Sequence, residues 1–201
     1  MVIFNIPLPL TVLQLLAIDL AVEQMPALAL GTEPPEAGVM NRPPSAQREP
    51  ILNRLVLGRG YFFLGSIAAL AGILGYFYAY WLSGWRPGQP LADSGLVYAT
   101  ATTMTFASIV ACQVGNAYAS RTLRVSVFSV GLFSNRLLNI GVLVAIAIAM
   151  MIIYLPPLQP IFNTTPLGPE LLVYLLIWPP IIFAADELRK WVVRRNERQW
   201  R

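Results

Sequence analysis

The chain has 201 residues, of which 56% are hydrophobic and 12% are charged, whereas soluble proteins carry roughly 25% charged residues. This composition excludes a large water-soluble domain and intrinsic disorder, and a single cysteine excludes a disulfide scaffold. The absence of histidine excludes histidine-based catalysis and histidine metal sites, and we expect the net charge of +4 to reflect membrane topology.

Five apolar segments predict an all-α fold, an integral membrane bundle of about five transmembrane helices. In chain order they cover residues 8–30, 61–82, 96–119, 137–155 and 167–188. The last segment contains Pro179 and Pro180, and we expect a helix that is kinked at these prolines. Residues 189–201 are predicted to form a basic cytoplasmic tail.

The basic residues predict the orientation of this bundle. Thirteen of the 14 lie between the first two segments, between the third and fourth, or after the fifth, and only Arg86 falls on the other side. Cytoplasmic loops carry such an excess of arginine and lysine. We therefore expect a multi-pass protein with its N-terminus outside and its C-terminus in the cytoplasm, in the plasma membrane.

Two acids, Asp19 and Glu23, lie inside the first apolar segment. They are four residues apart, which places both carboxylates on one face of a helix. A carboxylate at mid-bilayer costs about 2.5–3.5 kcal/mol, and such residues usually mark an ion or proton pathway that faces the bundle interior. The alternative is a structural role, in which these acids pair with polar groups of neighbouring helices.

Pro26 strengthens the interpretation as a cation site. A proline cannot donate a hydrogen bond to the carbonyl four residues earlier, so the Val22 carbonyl is left free beside Glu23. Carboxylate and carbonyl oxygens are the ligands that hard cations such as Ca²⁺ prefer. Discontinuous helices of this kind form cation sites in transporters.

The third apolar segment contains Gln113 and Asn116, which are three residues apart and share a helix face. Amides in membrane helices more often form hydrogen bonds between helices than bind ions. Both interpretations remain open for this pair, and we include both residues among the candidate cation ligands.

Three stretches resemble one known family. The run VLQLLAIDLAVEQMPALALGTEPPE, followed by VMNRPP, resembles the sixth transmembrane helix and following cytoplasmic loop of P-type cation pumps of the calcium-pump and sodium–potassium-pump branch. The run TMTFASIVACQVGNA resembles their eighth helix, and DELRKWVVRRN resembles the end of their tenth. The whole chain thus resembles the C-terminal transmembrane region of these pumps, helices six to ten.

The resemblance implies roles for individual residues. Asp19 and Glu23 fall at ion-ligand positions, and Gln113 falls where the calcium pump has a ligand Glu and the sodium pump a Gln. Two departures concern the ligands themselves: Val22 replaces a common ligand threonine, and Glu23 is one methylene longer than the usual Asp. The transported cation, Ca²⁺, Na⁺ or K⁺, or H⁺, is therefore left open.

The family's phosphorylation motif, D-K-T-G-T, does not occur in this sequence. We therefore expect no ATP hydrolysis by this chain alone; ATP and Mg²⁺ would act through segments of a complete pump, of which this chain would be a fragment. The expected partners are the lipid bilayer, the N-terminal remainder of the pump and the transported cation, and no nucleic acid. The alternatives are a stand-alone membrane scaffold and a small ion channel or carrier.

Overall fold

A computed structural model describes residues 6–35 and 54–199. Within these ranges every regular element is helical, and five helices are long and apolar enough to cross a membrane, which confirms the predicted fold class. The long helices are α1 (Val12–Leu30), α2 (Gly58–Leu82), α3 (Gly95–Ala119), α5 (Arg136–Tyr154) and α7 (Pro169–Gln199), and the short helices are α4 (Val127–Val130) and α6 (Gln159–Phe162).

Helix α3 lies at the centre, where α2 and α7 both pack against it. Glycine permits the closest of these contacts: a Cβ atom at Gly115 would lie 2.4 Å from the carbonyl oxygen of Pro179. Helix α7 remains helical through Pro179 and Pro180. Helix α1 lies at the periphery and packs mainly against α5.

One end of the bundle, here called the basic end, is held together by buried ion pairs. Asp186 of α7 is fully buried and accepts hydrogen bonds from Arg59 of α2 at 2.9 and 3.0 Å. Lys190 is also fully buried and donates to the Ala119 carbonyl at the end of α3 at 2.8 Å. Asp186 and Lys190 thus form an interior contact between α2, α3 and α7.

Two further cations lie at the same end. Arg121 pairs with Glu33, which follows α1, at 2.6 Å, and Arg194 donates to the Arg124 carbonyl at 2.8 Å. Arg42 and Arg48, which the sequence assigns to this side, lie outside the described residues.

At the opposite end, polar side chains hold the start of α1. Thr11 caps the helix, and Gln14 is fully buried and donates to the Asn163 carbonyl at 3.3 Å. The Tyr98 hydroxyl donates to the Leu8 carbonyl at 2.9 Å. The start of α1 is therefore tied to the loop before α7 and to the start of α3.

Candidate cation site

Helix α1 is not a regular α-helix at the acidic residues. A π-helical turn covers Ile18–Val22, in which the Glu23 amide donates to the Ile18 carbonyl at 3.0 Å, five residues back. A bend at Glu23 follows, and α-helical geometry resumes at Gln24. Single π turns inside α-helices occur frequently at functional sites.

The interruption leaves the backbone around Val22 short of donors. The Ala27 amide donates to the Glu23 carbonyl at 3.0 Å, and Pro26, which has no N–H, cannot donate to the Val22 carbonyl. The Gln24 side chain donates to the Asp19 carbonyl at 2.8 Å. A carbonyl without a helical partner is thus placed directly beside a carboxylate.

A cavity of about 170 Å³ lies between α1, α3 and α5 next to this interruption. Four of the five predicted site residues line it: Val22, Glu23, Gln113 and Asn116. Glu23 is half-buried, and its carboxylate accepts a hydrogen bond from the Gln113 amide nitrogen. Glu23 and Gln113, which are 90 positions apart in the sequence, are therefore direct neighbours.

The fifth predicted residue, Asp19, is exposed and does not line this cavity. Its side of α1 is not covered by any helix among the described residues. Within those residues no basic side chain pairs with Asp19 or Glu23, in agreement with the lack of Lys and Arg in the cores of the other segments.

A second cavity, of about 330 Å³, lies on the other side of Gln113 and Asn116, between α2, α3 and α7. Arg59 lines it at the basic end. The two amides therefore form part of the wall between two spaces, and Asn116 is held there by Ser120, whose hydroxyl donates to its side-chain oxygen at 3.2 Å.

Ser120, Val142 and Ala145 line the first cavity but were not among the predicted site residues. Ser120 could have been found from its position four residues after Asn116, on the same helix face. The two apolar residues carry no signal of this kind, since they lie in the uninterrupted apolar run of α5.

The oxygen atoms around the first cavity suit a hard cation but do not complete its shell. Among the described residues there is no group of three or more Asp, Glu, Cys or His that could hold a metal ion. Ca²⁺ takes 6–8 oxygen ligands. The Glu23 carboxylate, the Val22 carbonyl and the two amides could thus supply part of a cation site, and the uncovered side of α1 is where further ligands could approach.

Comparison with known proteins identifies the family. The family model described as "Cation transporting ATPase, C-terminus" matches residues 7–192. The chain belongs to this family. It corresponds to the C-terminal membrane region of P-type cation ATPases, which confirms the resemblance seen in the sequence.

Several relatives, whose names specify different cations, share a similar sequence identity with this chain. Calcium-transporting ATPase 1 of Saccharomyces cerevisiae is 35% identical over 96% of this chain, and human calcium-transporting ATPase type 2C member 1 is 33% identical over 98%. The human sodium/potassium-transporting ATPase subunit alpha-3 is 31% identical over 98%. The chain spans only 19–22% of the length of these relatives.

Proposed function

We propose that this chain supplies part of the cation-binding site of a P-type cation pump and that the complete pump carries out ATP-driven transport. The observation that supports this most directly is the interrupted α1, which brings the Glu23 carboxylate to a cavity beside the Val22 carbonyl. Retaining a carboxylate within a membrane helix, at a cost of about 2.5–3.5 kcal/mol, is typical of ion pathways.

The proposed ligands divide between two sides of α1. Glu23, Val22, Gln113 and Asn116 would bind the cation from the cavity side, and Asp19 would contribute from the uncovered side. The remaining ligands would come from other membrane helices of the pump, on the same or a second polypeptide, which would cover Asp19. The transported cation would be Ca²⁺, Na⁺ or K⁺, or H⁺.

ATP and Mg²⁺ would act in segments of the pump other than this chain. Phosphoryl transfer requires positioned Mg²⁺ and a nucleophile such as an Asp, in pumps through a covalent aspartyl-phosphate. In this proposal the chain is a non-hydrolytic part of the enzyme.

The proposed placement is in the plasma membrane, with the N-terminus outside and the C-terminus in the cytoplasm. The clustering of Arg59, Arg121 and Arg194 at the basic end supports this orientation, because cytoplasmic ends of membrane proteins carry the excess of cations.

The test is a pair of isosteric substitutions, Asp19→Asn and Glu23→Gln, in the pump assembled from this chain and the other pump segments. ATP hydrolysis would be titrated with Ca²⁺, Na⁺ and K⁺ separately, to find the cation that stimulates the wild type. Each variant should then need at least tenfold more of that cation for half-maximal activity, since loss of one charged hydrogen-bonding ligand costs about 1.5–3 kcal/mol.

Glu170→Gln is the matched control, because Glu170 is an exposed acid at the start of α7, away from the cavity. It should leave the cation dependence unchanged. Wild-type cation dependence in both Asp19→Asn and Glu23→Gln would show that these acids do not bind the transported cation.

A further inference from the structure

Among the contacts between α5 and the interrupted part of α1, Gly141 brings the two backbones close together. A Cβ atom placed on Gly141 would lie 3.0 Å from both the carbonyl carbon and the carbonyl oxygen of Met25, and 3.1 Å from the backbone nitrogen of Pro26. Carbon atoms in ordinary contact are about 3.5–4.0 Å apart. The glycine therefore allows the two backbones to approach more closely than any other residue would.

The atoms that a side chain at Gly141 would meet belong to the backbone, so they cannot rotate away. Accommodating even a methyl group would require the two helices to separate by roughly 0.5 Å, the difference between the present distances and ordinary contacts. The helix contact through Gly72 is more forgiving, because a Cβ there would meet only side-chain atoms, the nearest being the Thr105 methyl at 3.3 Å.

The contacted residues, Met25 and Pro26, lie in the first turn after the interruption of α1. The π turn Ile18–Val22 ends shortly before them, the α-helical part Gln24–Leu30 contains them, and Pro26 removes one backbone hydrogen bond of this turn. Where a helix is interrupted and lacks one of its hydrogen bonds, its position depends more on the helix that packs against it. Here the packing partner is α5, whose Val142 and Ala145 also line the cavity beside Glu23.

We propose that Gly141 is a positioning residue for the cation site, because it lets α5 hold the backbone of Met25 and Pro26 and thereby fixes where Glu23 and the Val22 carbonyl lie. The inference rests on the proposed function of Glu23 as a cation ligand. It gives α5, which contributes no acid to the cavity, a steric role in cation affinity.

The experiment compares Gly141→Ala with Gly72→Ala in the assembled pump, using the cation that stimulates the wild type. Metal–ligand distances must be kept within about 0.2 Å, so a displacement of roughly 0.5 Å should weaken binding. We expect Gly141→Ala to raise the half-saturating cation concentration roughly tenfold, as changes just outside a ligand shell do, with kcat within about twofold of the wild type. Gly72→Ala should change neither.

A double-mutant cycle with Glu23→Gln separates positioning from general damage. If Gly141 acts through Glu23, Gly141→Ala should cause little further loss of cation affinity once the carboxylate is gone. A merely structural defect would instead add its full effect in both backgrounds.

The outcomes also separate this inference from the proposed function. If Glu23→Gln itself leaves cation affinity unchanged, the proposed function fails. If Glu23→Gln weakens binding but Gly141→Ala behaves like Gly72→Ala, only the positioning role fails. Failure of Gly141→Ala to fold while Gly72→Ala folds would also overturn it, because the contact would then support the fold as a whole.

Discussion

Glu33 is a carboxylate that two side chains from a distant part of the sequence hold in place. It accepts hydrogen bonds from Arg121 at 2.6 Å and from Asn135 at 2.7 Å. Burial alone would raise the pKa of Glu33, but the bonds from Arg121 and Asn135 and the Arg121 charge outweigh it, so the pKa lies below its ordinary value of 4.5. The folded state therefore favours the ionised carboxylate.

Glu33→Gln should lower the thermal unfolding midpoint of the reconstituted chain at neutral pH. A hydrogen bond to a charged group contributes about 1.5–3 kcal/mol, which corresponds to a decrease of roughly 3–12 °C. Because the pKa is depressed on folding, this stabilisation is present above pH 4.5 and is lost as the pH falls through that value to the lower folded pKa. The midpoints of variant and wild type should thus converge in acid.

Glu170→Gln serves as control for this measurement, since Glu170 is exposed. Its midpoint should follow the wild type at every pH. A difference between Glu33→Gln and the wild type that stays constant from neutral pH to below the folded pKa would show that ionisation of Glu33 does not contribute.

At the level of elements, the ion pairs at the basic end join α2, α3 and α7. Asp186 accepts from Arg59, Arg189 and Lys190, and both Asp186 and Lys190 are fully buried. Removing one partner of a buried pair leaves an uncompensated charge and costs about 3–5 kcal/mol. These three helices should therefore depend on Asp186 more than on any exposed acid.

Asp186→Asn should markedly lower the thermal midpoint of the reconstituted chain, whereas Asp93→Asn, at an exposed acid of the opposite end, should not. Replacing both fully buried members together, by Asp186→Leu with Lys190→Met, should recover part of the loss, because the two charges with no access to water are removed together, while Arg59 and Arg189 remain partly exposed. Equal losses in the single and the double variant would show that the charges themselves are not the cause.

The sequence predicts the helices of this bundle better than their contacts. Long apolar runs reveal membrane helices, since any spanning segment must satisfy its backbone internally. For the π turn before Glu23, the sequence predicts only the loss of one helical hydrogen bond at Pro26. The contact between Gly141 and Met25 could not, because a glycine in an apolar run looks the same whether it faces lipid or another backbone.

The candidate site, too, could be predicted from the sequence only in part. Val22, Glu23, Gln113 and Asn116 could be singled out because polar or unpaired groups are costly in a membrane. Their meeting at one cavity depends on how α1 and α3 pack, which no local pattern specifies. The exposure of Asp19 could not be predicted either, since a spacing of four residues places two side chains on one helix face but does not determine which helix covers that face.

For the molecule as a whole, the central helix α3 is much more buried by its neighbours than the peripheral helix α1. In the apolar part of α3 61% of residues are buried, against 28% in α1. The start of helix α1 is tied to the bundle through Gln14 and Asn163, whereas Asp19, farther along the helix, is not covered by any described helix. The helix that carries the acids is therefore much less buried than the central helix, and the rest of the described chain does not cover its Asp19.

We therefore expect α1 to insert incompletely when the chain is made without other pump segments. Glycosylation acceptor sites placed before α1 in one version and after Leu30 in another would report which side each end reaches. Asp19→Leu should increase the inserted fraction strongly, since removing an Asp from the middle of a membrane helix gains about 3 kcal/mol, whereas Glu33→Gln, beyond the apolar run, should not. Co-expression of the other pump segments should raise insertion of the wild type and have little effect on Asp19→Leu. Complete insertion of the wild type on its own would mean that Asp19 needs no covering helix, and would favour a stand-alone membrane protein over part of a pump.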